Sequence, residues 1–259
     1  MRRLVLWFLI LWTAVPLVAA AGALPPDLTE AELRRVLAND EKTLGPEHPN
    51  VGRDLHKLAR LLQDEHHLAE AEALMEREVT IFERSLGSNH PNVAVALLNL
   101  AALLKATNRP AGAERLLRRA LEIDEVSFGA EHPTVARDLN TLAWLLKAMN
   151  RPAEAERLVR RALAIDEKSF GPEHPNVARD LNNLASVVQD ERPAEVEPLL
   201  RRALAISFAV TRQTGREEPT LPRLARNYRN LLRKMGKTDP EIQKALEELR
   251  RQPALASGR

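Results

Sequence analysis

Cysteine is absent from this chain, and with it go disulfides, thiolate metal sites, cysteine nucleophiles and a lipid-modified N-terminal cysteine. No Asn-x-Ser/Thr triplet occurs, so nothing marks the chain for N-glycosylation. Catalytic signatures are missing too. There is no Gly-rich phosphate loop, no Gly-x-Ser-x-Gly elbow and no His-Glu-x-x-His helix. The chain therefore reads as non-enzymatic, with no catalytic residue, no cofactor and no metal. Aromatic residues contribute only 3%. Alanine, leucine, arginine and glutamate dominate instead, which is the composition of long helices.

An excess of charge is also lacking once the first residues are set apart. Met1-Arg2-Arg3 is a short positive start, Leu4 to Val18 is apolar, and Ala19-Ala20-Ala21-Gly22-Ala23 is small-residue material. This is the layout of a secretory signal peptide, with Ala21-Gly22-Ala23 as the cleavage pattern and Pro16 ending the apolar helix a few residues earlier. Residues 1–23 are expected to be removed on export, leaving a periplasmic or secreted protein. The alternative is an uncleaved inner-membrane anchor, because Leu4 to Ala23 is uncharged and just long enough to cross a bilayer. Without Arg2 and Arg3 the 38 basic residues fall to 36 and equal the 36 acidic ones. That balance gives no case for nucleic acid or an anionic membrane as partner. A membrane enters only if the N-terminal segment stays.

What the chain does have is one short phrase in four copies. Gly45-Pro46-Glu47-His48-Pro49-Asn50 returns as Gly87-Ser88-Asn89-His90-Pro91-Asn92, as Gly129-Ala130-Glu131-His132-Pro133-Thr134 and as Gly171-Pro172-Glu173-His174-Pro175-Asn176. The histidines at 48, 90, 132 and 174 are 42 residues apart. A strict period of that size means stacked supersecondary units, about five here, and not one globular enzyme fold.

Within one period the apolar spacing is helical twice. Val135, Leu139, Leu142, Ala143 and Leu146 define a first helix, A, from about Pro133 to Met149. Asn150 suits a left-handed C-cap and Pro152 the first turn of a second helix, B. Helix B carries Ala155, Leu158, Val159, Ala162, Leu163 and Ile165 on one stripe, and Gly171 with Pro172 stops it. A short turn makes the two helices antiparallel neighbours. Small residues recur in register: Ala59, Ala101, Ala143 and Ala185 in helix A, and Ala71, Ala113 and Ala155 in helix B. A further site holds Ala120, Ala162 and Ala203, with Glu78 in the first copy. Small side chains at these points let helix backbones approach closely.

This pattern resembles the tetratricopeptide repeat. Asn183-Leu184-Ala185 matches its helix A stretch, and Glu154-Ala155, Val159 and Arg161-Ala162-Leu163 match its helix B. The 42-residue period and the Gly-Pro-Glu-His-Pro-Asn loop are similar to the kinesin-light-chain-like branch, of a bacterial exported type. The resemblance implies an all-α, right-handed solenoid of antiparallel helical hairpins. Its divisions are a signal segment at 1–23, an N-terminal capping half repeat at 24–44 and four repeats at 45–212. A degenerate repeat at 213–251 and a disordered tail at 252–259 follow. Departures fall at the C-terminal end. Pro152 maps to Pro193, a step of 41 that removes one residue from the fourth turn, and Pro198 falls inside a helix B, which predicts a kink or a late start. Arg229 replaces the small alanine of helix A in the degenerate copy.

The histidine ladder suggests metal, but each histidine lies in its own loop and equivalent positions in stacked helices sit about 8–10 Å apart. Two zinc ligands must both lie about 2 Å from the ion. The histidine and following proline are therefore expected to shape the start of helix A. A second stripe of helix A, distinct from the buried leucines, is polar: Arg137, Asn140, Trp144 and Lys147 in the third copy. Its counterparts are Arg179 and Asn182 in the fourth copy, and Arg53 and His56 in the first. In the second copy Val95, Leu98 and Lys105 stand there. The resemblance implies that this face lines a concave groove holding extended peptides. The expected partner is a peptide or protein segment with acidic side chains to meet Arg137 and Arg179. Asn140 and Asn182 are expected to bond its backbone, and Trp144, Val95 and Leu98 to take one apolar anchor. The alternative function is a membrane-tethered scaffold or assembly factor.

Overall fold

Capping chemistry sets where the elements begin and end. The computed structural model describes residues 29–251, so the segment at 1–23 and the tail at 252–259 lie outside the described residues. His48, His90, His132 and His174 are N-caps: Nδ1 of each accepts the backbone N–H two residues on, at 3.1–3.2 Å. Proline follows each histidine at the first helical position, where a missing N–H costs nothing. Gly45, Gly87, Gly129 and Gly171 close the preceding helices with φ between 86° and 95°, a conformation that side chains resist. Inside the hairpins His66, Asn108 and Asn150 take the left-handed conformation at φ 60–64°. Bonds such as Asn108 N–H to the Lys105 carbonyl and Arg109 N–H to the Leu104 carbonyl then complete a Schellman turn.

Eleven helices result among the described residues, and no strands. They are α1 (Glu30–Leu44), α2 (Pro49–Asp64), α3 (Leu68–Leu86), α4 (Pro91–Ala106), α5 (Pro110–Phe128) and α6 (Pro133–Ala148). Then come α7 (Pro152–Phe170), α8 (Pro175–Val188), α9 (Pro193–Thr214), α10 (Leu221–Lys234) and α11 (Asp239–Arg251). The hairpins α2/α3, α4/α5, α6/α7 and α8/α9 stack so that each second helix packs on the next first helix. Helix α1 covers α2 at one end, and α10 and α11 pack on α9 at the other. The architecture is an all-α right-handed solenoid of antiparallel hairpins. None of the described helices is long and apolar enough to cross a membrane.

The small positions carry the packing. Ala59, Ala101, Ala143 and Ala185 are at most 2% exposed, and Ala71, Ala113 and Ala155 are fully buried. Glu78 occupies an alanine position and is buried, but its Oε2 lies 3.2 Å from Nδ1 of His56. Gly52 takes the place of Ala94, Ala136 and Ala178 because the Phe82 ring fills its space; a Cβ there would stand 2.7 Å from Phe82 Cε1. Between hairpins a ladder of ion pairs fixes the stacking register. The turn arginines Arg109, Arg151 and Arg192 reach back to Glu72, Glu114 and Glu156 of the preceding second helix. Arg119, Arg161 and Arg202 similarly meet Glu83, Glu125 and Glu167 at 2.5–2.6 Å. These pairs are partly exposed, so solvent screening keeps the contribution of each one small.

The fourth hairpin is irregular. Helix α8 ends at Val188, two residues short of the place where α6 ends, and its turn contains no left-handed residue. The late start that Pro198 suggests does not occur: α9 begins at Pro193 and runs through Pro198 to Thr214. Ion pairs of Arg192 with Glu156 and Glu195 hold that start in place.

Candidate functional site

The polar face of the first helices centres on a cavity of about 190 Å³. Arg137, Asn140 and Trp144 of α6 and Arg179 of α8 line it, as does Arg223 of α10. The structure thus brings together four of the residues the helical stripe singles out. The others stand apart: Arg53, His56, Val95, Leu98 and Lys105 line neither this cavity nor a larger one between α8 and α10, which Asn182 borders. His56 is half-buried on Glu78, and Leu98 is half-buried against the core. Val95 is 48% exposed.

The two asparagines already bond within the stack, Asn140 through both ends of its amide and Asn182 through its oxygen. Asn140 is buried; its Nδ2 donates to Asp180 Oδ1 at 2.8 Å and to the Ala136 carbonyl at 3.0 Å, and its Oδ1 accepts from Asn183 at 3.0 Å. Asn182 is buried too, and its Oδ1 accepts from Asn227 at 2.8 Å. Both amides join neighbouring first helices. A periodic stripe shows which way a residue faces on its own helix but not that the next helix covers it.

Arg137 and Arg179 already face carboxyl groups of the stack. Asp124 and Asp138 lie beneath Arg137, at 3.5 Å and 3.0 Å from its Nη2. Asp166 and Asp180 hold Arg179 in the same way, at 3.0 Å and 3.2 Å. All four carboxyl groups are at most 2% exposed, and one oxygen of each finds no donor among the described residues. Burial, reinforced by the facing Asp138 carboxyl, pushes Asp124 up to about 7 against the pull of Arg137. Burial likewise pushes Asp180 up to about 7, opposed by Arg179 and reinforced by Asp166, which burial also raises. Each pair of facing carboxyls holds a proton more tightly than an exposed aspartate would.

Arg223 is different. It follows Arg179 by 44 residues, and the same step links Asn183 to Asn227, each of which donates to an asparagine of the preceding first helix. Arg223 is therefore the next rung of the arginine ladder. Its carboxylate partners are gone, because Leu224 stands in the place of Asp180 and Ser207 in that of Asp166. No hydrogen bond or ion pair among the described residues engages it. The sequence signal that finds it is the repeated Arg-x-x-x-Asn of residues 179–183 and 223–227, hidden when a fixed 42-residue step is applied. Trp144 is 37% exposed beside it, with Lys147 Nζ 5.4 Å from its ring centroid. Lys147 is itself spent on the Ser186 carbonyl and hydroxyl at 2.6 Å and 2.7 Å.

In each of the four loop histidines Nδ1 is occupied as a helix cap. Elsewhere Glu30, Glu65 and His67 come together at the opening end, but mostly exposed and with Glu30 bonded to Arg34.

The fold and this face define a stacked helical-hairpin scaffold, a class that works by presenting a surface. The tetratricopeptide repeat profile matches residues 55–125, 111–168 and 153–207. The chain belongs to the tetratricopeptide repeat family, whose members generally mediate protein–protein interaction and are generally non-enzymatic scaffolds. Among solved structures it is similar to a putative kinesin light chain with nearly identical TPR-like repeats from Podosopora anserina. Identity is 30%, the TM-score is 0.63, and the match covers 71% of this chain and 87% of that one. A singly substituted form of that protein matches at 29% identity and a TM-score of 0.64, with the same coverage. BtubC (BKLC) from P. vanneervenii shares the fold at 23% identity, with a TM-score of 0.65 over 86% of this chain and 85% of that one. No curated protein sequence matches the chain.

Proposed function

We propose that this protein is a non-enzymatic binding module that holds an extended acidic segment of a partner protein across the first helices of its later repeats. The observation that carries the reading is Arg223, a cation that no carboxylate among the described residues engages, sharing a cavity with exposed Trp144. Arg137 and Arg179 add donors but little free charge, because each already faces two carboxyl groups. The segment's carboxylate is therefore held chiefly by Arg223. A hydrogen bond to a charged group contributes about 1.5–3 kcal/mol, and ordering a flexible segment offsets part of it. Affinity on the order of micromolar, weakened by salt, follows.

The test is fluorescence anisotropy with a labelled peptide carrying two glutamates and one leucine among glycines. Arg223→Glu is expected to weaken binding about tenfold or more, and the peptide with lysines for glutamates should not bind. Equal binding of both peptides would overturn the reading. The layout of residues 1–23 supports export, with the module released into the periplasm or medium. Intact mass of the protein from the producing cell is expected to show those residues removed. A full-length mass in the membrane fraction would replace that reading with the membrane-tethered scaffold.

A further inference from the structure

A second cavity, of about 780 Å³, opens between α8, the start of α9 and α10. Its floor is apolar, formed by Ala185, Val196, Leu200 and Leu231, while Gln189, Asn227 and Asn230 bring amides to its rim. The volume falls in the range of sites that enclose a ligand, roughly 300–1,000 Å³. Four charged residues also line it, but they leave no net field. Glu197 is bound by Arg201 and by the Tyr228 hydroxyl, and Arg233 is bound by Asp239. Asp190 and Lys234 remain, opposite in sign. An occupant of this cleft must therefore be neutral and apolar.

The backbone points to a peptide as occupant. Pro198 lies inside α9 and has no N–H to donate to the carbonyl of Ala194, four residues earlier, and Ala194 lines the cleft. That carbonyl is an acceptor without its helical donor, beside amides that both donate and accept. We infer that this cleft takes an uncharged apolar side chain, with its adjoining backbone, from the same acidic segment that meets Arg223. The inference rests on the binding reading above and moves the apolar anchor away from Val95 and Leu98. Asn227 is one turn of α10 beyond Arg223, and Leu231 is two turns beyond, about 12 Å along the axis. An extended segment covers that span in about three to four residues. The apolar residue therefore lies three to four positions from the acidic one.

Two probes test this on the full chain by amide and methyl chemical shifts. N-acetyl-leucine amide is expected to shift Val196, Leu200 and Leu231. Filling the cleft from the exposed positions Asn230→Trp or Ala194→Trp should abolish those shifts in whichever variant keeps the folded spectrum. N-acetyl-Glu-Gly-Gly-Leu-amide should bind about tenfold more tightly than the leucine probe, and Arg223→Ala should remove that gain while leaving the cleft shifts in place. Leucine-probe shifts confined to Trp144, or none at saturating probe, would overturn the cleft as the anchor site. Cleft shifts with a tethered gain that survives Arg223→Ala would instead sink the acidic-segment reading, and with it the claim that one segment spans both sites.

Discussion

At the scale of single residues, the loop histidines show how one side chain serves structure where its type suggests chemistry. Nδ1 accepts a backbone N–H as a serine hydroxyl would, and Phe128 and Phe170 stack on His132 and His174 with ring centroids 5.0 Å and 4.4 Å apart. His132→Ala should therefore destabilise the chain by about 1 kcal/mol, the usual cost of a lost N-cap, while His132→Asp should recover most of it. Urea denaturation checks this, and a chelator should leave the midpoint of the unmutated protein unchanged. A large chelator effect would mean that metal, not capping, holds the loops. The residue types at the site were legible as a stripe, Arg137, Trp144 and Arg179 among them. Their availability was not. Asn140 and Asn182 look free on their own helices, but Asn140 is bonded to Asp180 and Asn183 on the next one, and the Asn182 oxygen to Asn227.

At the scale of elements, the hairpins were readable because caps, turns and small residues repeat in register, each signal checked by its copies. Exceptions become legible only in pairs. Gly52 looks like a weak point in a helix until Phe82, where later copies carry Asp124 and Asp166, is seen to occupy its space. The two substitutions should be coupled. Gly52→Ala alone is expected to cost about 1–3 kcal/mol by overpacking, and Phe82→Leu alone to cost stability through the gap it leaves. The double variant should be more stable than the sum of the two predicts, because the added methyl enters that gap. Additive losses in a denaturant-based cycle would show that the contact is relaxed at no cost. Pro198 misleads for a related reason: the penalty for a proline is local, whereas the start of α9 is held by Arg192 pairing with Glu156 and Glu195.

At the scale of the whole molecule, the buried carboxyl pairs sit at two successive joints of the stack, α5 with α6 and α7 with α8. Asp124 and Asp180 are raised to about 7 and Asp166 is raised in the same direction, all chiefly by burial. Aspartate in an unfolded chain titrates at about 3.9, so between about pH 4 and 7 the folded state binds more protons than the unfolded one. These groups therefore contribute stability that is complete below the unfolded value and lost as pH rises through the folded one. Carboxylates with lowered values, such as Glu72 beside Arg109 and Glu154 beside Arg151, act with the opposite sign, at lower pH. Thermal melting should be higher at pH 5.5 than at pH 8. Asp124→Asn combined with Asp180→Asn should shrink that difference and raise melting at pH 8. A melting temperature that rises from pH 5.5 to pH 8 would show that the pairs do not share protons. The same joints decide how the chain can grow. A tandem copy of residues 129–170 would set Asp166 against a new Arg137 and Asp138, and Glu156 against a new Arg151, so the buried carboxyl pair and the turn ion pair would both re-form, with Thr141 in the place of Asn183 and Trp144 in that of Ser186. A tandem copy of residues 87–128 would set Asp124 against Val95 and Ala96, a buried carboxyl with no arginine. Of the two middle units, the third can be multiplied in register and the second cannot.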